Sequence, residues 1–471
     1  MNAKNRIIYE MHVKGFTNSI SSKVRHPGKF EGIIEKIPYF KKLGITTLEL
    51  MPIFEFNAET NYWGYTPKSF QNPHPLYGSP HDLKILIDTL HAHHFEIILD
   101  VVYNHTDGPL EGIHYFAENY SGCGHTVSPN HPESIEKILN SLRYFGSTLG
   151  VDGFRFDLAS ILTRSQKGEP LPHPPLIEAI DKDPDLKHCL MIAEPWDCGG
   201  LYQVGSFPSS KWAEWNGKFR DSVRRFIKGN HHQEDCFLEA MLGSPHLYGK
   251  RTPFHSVNFI TAHDGFTLRD LVSYDTKHNE ENGEENRDGC SYNDSWNCGA
   301  EGDTEDPHIL ELRERQMRNF WVALFFSLGT VMFPMGDEYG RSMKGNNNPY
   351  SLDAPKNYFD WDALEKQKKQ WFFLHQLIEL RKSEHLFQSS HFMHPHHVVK
   401  REQFVSYVLG PYFIAFNTKN SPAELTFPHH EKGWSRLIDT QFAGGEPFDM
   451  YPMPRTYLMK EYSALVAKKR A

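Results

Sequence analysis

The sequence predicts an α/β chain, a (β/α)8 TIM barrel with a small C-terminal antiparallel β domain, and three features predict it. Apolar runs of strand length alternate with helical periods up to about residue 380, the pattern of buried parallel strands and their covering helices. Several of these runs finish in acids or histidines: EIILDVVYNH (96–105), GVDGFRFD (150–157), CLMIAEPWD (189–197), SVNFITAHDG (256–265) and TVMFPMGDE (330–338). Polar groups at the carboxyl ends of parallel strands converge on one mouth of a barrel. From about residue 384 the pattern changes to short strand-like runs separated by turns, QFVSYVLG (403–410), YFIAFNT (412–418) and AELTFP (423–428), which predict antiparallel pairing.

Each element follows from its own residues. RIIYEMHVKGF (6–16) reads as the first strand, and Ile33, Ile34, Ile37 and Phe40 as the apolar face of a helix over about 31–43. TTLELMP (46–52) is the next strand. The loop NYWGYTP (61–67) after it carries Tyr62, Trp63 and Tyr65, which suit core packing and ligand contact equally well. Ser79 with Asp82 makes a capping box, opening a helix with Leu83, Leu86, Ile87 and Leu90 on one stripe. Strand 96–102 leads to Asn104 and His105. Residues 106–130 have no period and read as an inserted loop or small subdomain. Pro132 opens a helix with Ile135, Ile138, Leu139, Leu142 and Phe145 on one face, which delivers the chain to GVDGFRFD. A proline-rich loop (170–175) and a short helix precede the strand ending at Glu194. WAEWNG (212–217) is the following strand and KFRDSVRRF (218–226) its helix. A strand ending near Asp264, a long polar loop over about 265–306, a helix over about 308–327 and a strand at 330–336 complete the barrel. The predicted division is therefore a barrel over 1–383 and a β-sandwich-like domain over 384–471.

Length and charge narrow the functional classes. The chain has 471 residues, enough for a barrel plus one small domain, and its 50 Lys+Arg against 59 Asp+Glu give a net charge of -9. With no basic block, neither nucleic acid nor an anionic membrane is an expected partner. The opening MNAKNRIIYEMHV has no apolar core of signal-peptide length, and FWVALFFSLGTVMFPMG (320–336) is too short and too interrupted to span a bilayer, so a cytoplasmic location is expected. Six cysteines without a CxxC pair are expected as reduced thiols. The histidine clusters at 91–94, 231–232 and 394–397 lack zinc-site spacing and read as solvated, so no metal is expected.

The chemistry concentrates in GVDGFRFD. Arg155 and Asp157, two apart on a strand, point to one side, with Phe154 and Phe156 packing on the other. Alone, the pair reads as a structural ion pair or as an oriented carboxylate nucleophile. Asp157, Glu194 and Asp264 stand at three strand ends. Cleaving a glycosidic bond with retention uses two such carboxyl groups about 5–5.5 Å apart, one attacking and one protonating the leaving oxygen. Arg155 is expected to keep Asp157 ionised, and Glu194, beside Pro195 and Trp196 in drier surroundings, to keep its proton near neutral pH. The aromatics in polar loops, Trp63 and Trp196 among them, suit the apolar C–H faces of a sugar ring.

DVVYNH (100–105), GFRFD (153–157), AEPWD (193–197) and TAHDG (261–265) resemble, in order and strand placement, the four barrel motifs of the α-amylase family of glycoside hydrolases. NYWGY, AEWN, FRD, TAHDGFTLRD, HNEENGEENRDG and GNNN further resemble its isoamylase-like glycogen debranching branch. The resemblance implies Asp157 as nucleophile, Glu194 as general acid/base, and Asp264 as a carboxylate binding sugar hydroxyls. It further implies that His105, Arg155 and His263 hold the sugar, that Tyr65 forms a stacking platform and that Asp100 supports them. The implied partner is a branched α-glucan, glycogen or limit dextrin, cut at α-1,6 branch points with retention and without a cofactor. The resemblance also implies a β-sandwich glycan-binding domain ahead of the barrel, whereas here the first strand begins within a few residues of Met1. Asn104 sits where some relatives bind calcium, but residues 106–130 offer no carboxylate cluster to complete an oxygen cage. An α-1,4-acting hydrolase, a glucanotransferase and a non-catalytic glycan-binding subunit are the alternatives. The acidic loop HNEENGEENRDG (278–289) reads equally as a solvated flap or as a lid over the substrate.

Overall fold

A computed structural model describes residues 6–442, 448 and 450–470. Eight strands, β1 (Ile7–Met11), β2 (Thr47–Leu50), β3 (Glu96–Val101), β4 (Gly153–Phe156), β5 (Leu190–Ala193), β6 (Ala213–Trp215), β7 (Ser256–Asn258) and β8 (Thr330–Pro334), close into a barrel in chain order. Every neighbouring pair is parallel, β8 returning to β1 with Ile7 opposite Val331. All eight carboxyl ends therefore open on the same face.

Side-chain alternation splits the core into two layers. Ile8, Ile98, Ile192, Trp215, Val257 and Met332 fill the barrel interior. Their neighbours Ile7, Tyr9, Ile97, Leu99, Phe154 and Phe156 face outward, under the helices. Ser79 caps the helix Pro80–Ala92 through the predicted box with Asp82, and Leu83, Leu86, Ile87 and Leu90 are its buried stripe. The helices Pro132–Arg143, Gly217–Ile227 and Pro307–Phe326 also lie where the periodicity puts them.

Several boundaries differ from the sequence reading. The first strand stops at Met11, and His12 caps a short helix, Val13–Thr17, by accepting from the Gly15 amide. The helix expected over 31–43 is two, Phe30–Glu35 and Ile37–Leu43. Pro38 lacks an N–H and its ring excludes the carbonyl one turn back, so it opens a new helix instead of continuing the old one. The strand expected to run to Asp264 ends at Asn258, and an irregular stretch carries the chain to the acid. Within 106–130 the regular structure is one two-residue ladder, His105 and Thr106 against Thr126 and His125.

After the helix Lys368–Ser383 and a turn at His385–Gln388, antiparallel strands follow. β9 (His396–Arg401), β10 (Phe404–Leu409), β11 (Tyr412–Asn417), β13 (Trp434–Asp439) and β15 (Ser463–Lys469) form one sheet, in the order β9-β10-β11-β15-β13. AELTFP supplies β12 (Ala423–Thr426), which pairs only with β14 (Thr456–Met459) in a separate two-stranded sheet. One face of the large sheet, through Phe404, Phe413 and Leu465, packs on Leu425 and Met459 of the small one. The other face, through Val405, Tyr407, Ile414 and Val466, joins the core that covers the barrel. Arg318 and Asn319 of the barrel helix Pro307–Phe326 donate to the carbonyls of Thr440 and Tyr462 across that contact. Among the described residues, no helix is long and apolar enough to cross a membrane.

At the opposite end from the carboxyl mouth, the buried Arg381 guanidinium donates to the carbonyls of Phe325 (2.6 Å), Ser327 (2.8 Å) and Gly329 (2.6 Å), fixing the approach to β8. Arg381→Met would strand these carbonyls. Each buried unsatisfied group costs about 1–3 kcal/mol, so a loss of at least about 3 kcal/mol is expected as a lowered urea midpoint.

Candidate active site

The carboxyl mouth is organised around Arg155, whose side chain is completely buried. It stands on β4 opposite Asp100 of β3 in register, two residues before Asp157, and its Nη1 donates to Asp100 Oδ1 and Oδ2 (both 2.9 Å) and Asp157 Oδ1 (3.0 Å). Its Nη2 lies 2.9 Å from Glu194 Oε1, an ion-pair contact off the N–H direction. The face of Trp215 lies 4.0 Å from the guanidinium carbon, so the cation rests on an aromatic floor inside the barrel. Sequence reasoning paired Arg155 with Asp157 alone. The contact with Glu194 arises only because β5 lies beside β4.

Asp157 and Glu194 immediately follow their strands, and local backbone geometry locks both. Asn104 Nδ2 donates to the Asp157 carbonyl and to its Oδ2, both at 2.8 Å, so each carboxylate oxygen of Asp157 carries one donor. Because that amide nitrogen is occupied by two acceptors, Asn104 Oδ1 faces His105 Nδ1 at 2.5 Å, which makes Nδ1 the protonated nitrogen and leaves Nε2 as acceptor. Cys123 Sγ lies 3.2 Å from that Nε2. Asn104 thus orients Asp157 and His105. Leu158 takes a left-handed conformation (φ 40°), unfavourable for a side chain with Cβ, and so aims its N–H at Glu194 Oε2 (2.6 Å).

The environments of the acids diverge. Burial pushes the Glu194 carboxyl up, and the charges on Asp157 and Asp264 add to it against Arg155, to about 8. Burial likewise raises Asp100 to about 6 despite Arg155. Asp264 is the open one: it is exposed to solvent at the mouth, although protein mass crowds it. That crowding acts upward, but His263, Arg220 and Arg155 outweigh it and hold Asp264 below the ordinary carboxylate range.

A second chain of contacts runs beside Arg155. Tyr65 stacks on His263 (centroids 4.8 Å, 22°) and donates from its hydroxyl to Asp100 Oδ2 at 2.5 Å. His263 Nδ1 lies 2.7 Å from Glu10 Oε1 on β1. Burial acts to lower His263, but Glu10 reverses this and lifts it to about 9. Trp63 is buried and meets His263 edge to face at 5.0 Å, whereas Trp196 stacks with the half-exposed Tyr202 (5.9 Å, 14°) at the rim. Below them Glu49 is fully buried with both oxygens unpartnered, and burial, with Glu10 and Asp100 beside it, pushes it well above the ordinary range. Sequence reasoning missed Glu10 and Glu49, although an acid inside each apolar run, RIIYEMHV and TTLELMP, was the available signal.

The acidic loop 278–289 is stitched to GNNN by carboxamides. Asn279 Nδ2 donates to Asn347 Oδ1 (2.8 Å), Asn347 N to Asn279 Oδ1 (2.9 Å), Asn282 Nδ2 to the Asn348 carbonyl (2.8 Å) and Asn348 Nδ2 to Asp288 Oδ2 (2.9 Å). Glu284 accepts from the Tyr350 hydroxyl, and the Tyr350 carbonyl accepts from the amides of Tyr62 and Trp63. The loop is tied into the rim through these bonds, not left as a free solvated flap.

Glu10→Gln removes the charge that keeps His263 protonated, so the His263 pKa, followed by NMR of the ring, is expected to fall from about 9 toward the ordinary imidazole value. The same link has a sign for stability. The ion pair stabilises the folded chain fully below about pH 6.5, the unfolded value, and its contribution fades as pH rises through about 9.

The catalytic-domain model of the alpha amylases matches residues 10–128. Isoamylase 3 of Oryza sativa subsp. japonica is 41% identical over 98% of this chain and 68% of its own length. The glycogen debranching enzyme of Escherichia fergusonii is 42% identical over 76% of this chain and 60% of its own. The maize isoamylase SU1 and the rice isoamylase 1 are covered over 65% and 64% of their lengths, so the chain spans about two thirds of the curated relatives it matches. In fold it is similar to the pullulanase of Bacillus acidopullulyticus (TM-score 0.78, 22% identity, 99% of this chain and 61% of that one). It is also similar to the type I pullulanase of Bacillus subtilis complexed with maltose (TM-score 0.81, 20% identity, 100% and 71%). With 41% identity across 68% of the rice isoamylase, the chain belongs to the isoamylase family, built on the alpha-amylase catalytic barrel.

Proposed function

We propose that this chain hydrolyses α-1,6 branch linkages of glycogen or limit dextrin with retention of configuration. The observation that carries the reading is a single buried guanidinium touching the two carboxyl groups that the reaction needs. Asp157 is oriented by a donor on each oxygen, and Glu194 is raised to about 8. Asp157 attacks the anomeric carbon while Glu194 gives its proton to the leaving glycosidic oxygen, and the electron pair of the broken C–O bond stays on that oxygen. Glu194, now ionised, then takes a proton from the water that displaces Asp157. Asp264, held ionised at the open mouth beside cationic His263, binds the hydroxyls of the reacting sugar. Tyr65, stacked on His263, supplies the ring face beneath it, with His105 and Arg155 beside it. Trp196 with Tyr202 extends the aromatic surface along the rim. The names of the isoamylase and glycogen debranching relatives support the α-1,6 assignment, and the cytoplasmic setting expected from the sequence belongs to the same reading.

Glu194→Gln is expected to lower kcat by about 10²–10⁴-fold, and Asp157→Asn to leave no measurable turnover, with circular dichroism unchanged in both. Because Glu194 must carry its proton for the first step, kcat/KM is expected to fall tenfold per pH unit above about pH 8. The substrate is settled by a reducing-end and product-length assay on glycogen and linear maltooligosaccharides. Short linear chains released from glycogen alone are expected. Cleavage or rearrangement of the linear substrates would assign an α-1,4 or transferase activity instead.

A further inference from the structure

The insertion between β3 and β4 gathers three ligating side chains that its spacing conceals. His114, His131 and Glu133 each present a ligand atom within 4.8 Å of the others. His114 Nε2 lies 2.9 Å from Glu133 Oε2, and the two imidazoles lie face to face with centroids 3.3 Å apart. His131 Nδ1 is buried and has no hydrogen-bond partner. A buried ring nitrogen without a partner, beside a second imidazole and a carboxylate, lacks a group that accepts lone pairs from all three.

The backbone under these side chains is already set. The His114 amide donates to Ser134 Oγ (3.0 Å), and its carbonyl accepts from the Ser128 amide (2.6 Å). His131 is the N-cap of the helix Pro132–Arg143, its carbonyl accepting from Ile135 N at 2.9 Å, and Glu133 is in the first turn. The His114 side chain is 43% exposed, so its ring has room to turn about its broad χ2 and bring its nitrogen toward the other two ligand atoms. The helix N-terminus disfavours a cation, but the Glu133 carboxylate in the same turn offsets this.

We propose that His114, His131 and Glu133 form a site for a divalent transition-metal cation of the zinc type, clasping the 106–130 insertion to the N-terminus of the helix Pro132–Arg143. Two imidazoles and one carboxylate make a borderline donor set that suits Zn²⁺ at about 2.0–2.2 Å, with water completing a tetrahedron, and not the all-oxygen shell of calcium or magnesium. The ends of the insertion explain its consequence. It begins at His105, carries Cys123 against that histidine, and ends at the helix that leads back to Arg155 and Asp157. A metal at its base would tie the outer turns to the scaffold without touching the reacting groups.

The test is calorimetric titration of the chelator-treated protein with zinc chloride, comparing wild type, H114A/H131A and E133Q, all checked for folding by circular dichroism. With 28 histidines in the chain, the difference between proteins is the readout. Wild type is expected to bind one zinc ion more per chain than H114A/H131A, and E133Q to weaken that site about tenfold or more. Cobalt-loaded wild type is expected to show a d–d absorption that the double variant lacks. Equal zinc stoichiometry in folded wild type and folded H114A/H131A overturns the proposal, as does the absence of zinc uptake by wild type.

Discussion

The site depends on one buried cation. Placing Arg155 inside a barrel removes its hydration, which is costly unless carboxylates and hydrogen bonds replace it. Asp100, Asp157 and Glu194 do so, with Trp215 beneath. Around that cation the barrel mouth holds a surplus of acid: Glu10, Glu49, Asp100, Asp157, Glu194 and Asp264 outnumber the nearby cations Arg155, His263, Arg220 and Arg224. Such a surplus cannot stay fully ionised in a medium that screens poorly. The fully buried Glu49 and the dry Glu194 are pushed upward, while the open Asp264, with four cations nearby, is held low. A protonated acid beside an oriented carboxylate is therefore a consequence of the charge arrangement of the whole mouth, not of any one neighbour.

The scaffold makes this arrangement reproducible. Parallel pairing in register sets Asp100 opposite Arg155, and the β4–β5 pairing sets Glu194 within reach of the same guanidinium. The left-handed turn at Leu158 and the two-acceptor amide of Asn104 then fix the carboxyl planes. Groups held in this way need no reorganisation when charge develops between them. The outer rim is organised by a different chemistry, carboxamide pairs joining 278–289 to 345–348 and, through Tyr350, to Tyr62 and Trp63.

Much of the fold was legible because burial writes itself into periodicity. The capping box at Ser79, the Pro132 helix and the run of apolar strands ending in acids are local patterns, and the structure carries them as read. The errors also have local causes: Pro38 divides a helix, and β7 ends early because the chain turns irregular before Asp264. Asp157, Glu194, Asp264, Arg155, Tyr65, His105 and His263 stood out by strand position and motif, and all lie at the one mouth. Glu10 and Glu49 escaped notice, and Asn104 was weighed only as a calcium ligand, because a polar residue within or just after an apolar run gains meaning only from what faces it across the barrel.

The sequence by itself determined the alternation of strand and helix, the direction in which each strand presents its side chains, and the types of group at the strand ends, because these depend on residues close together along the chain. Only the tertiary structure decided that Arg155 serves Glu194 as well as Asp157, that Glu10 reaches His263 across 253 positions, that the acidic loop is pinned and not free, and that His114 meets His131 and Glu133. Charge–charge energies and ligand geometry depend on distance in space, and closing the barrel is the step that sets those distances.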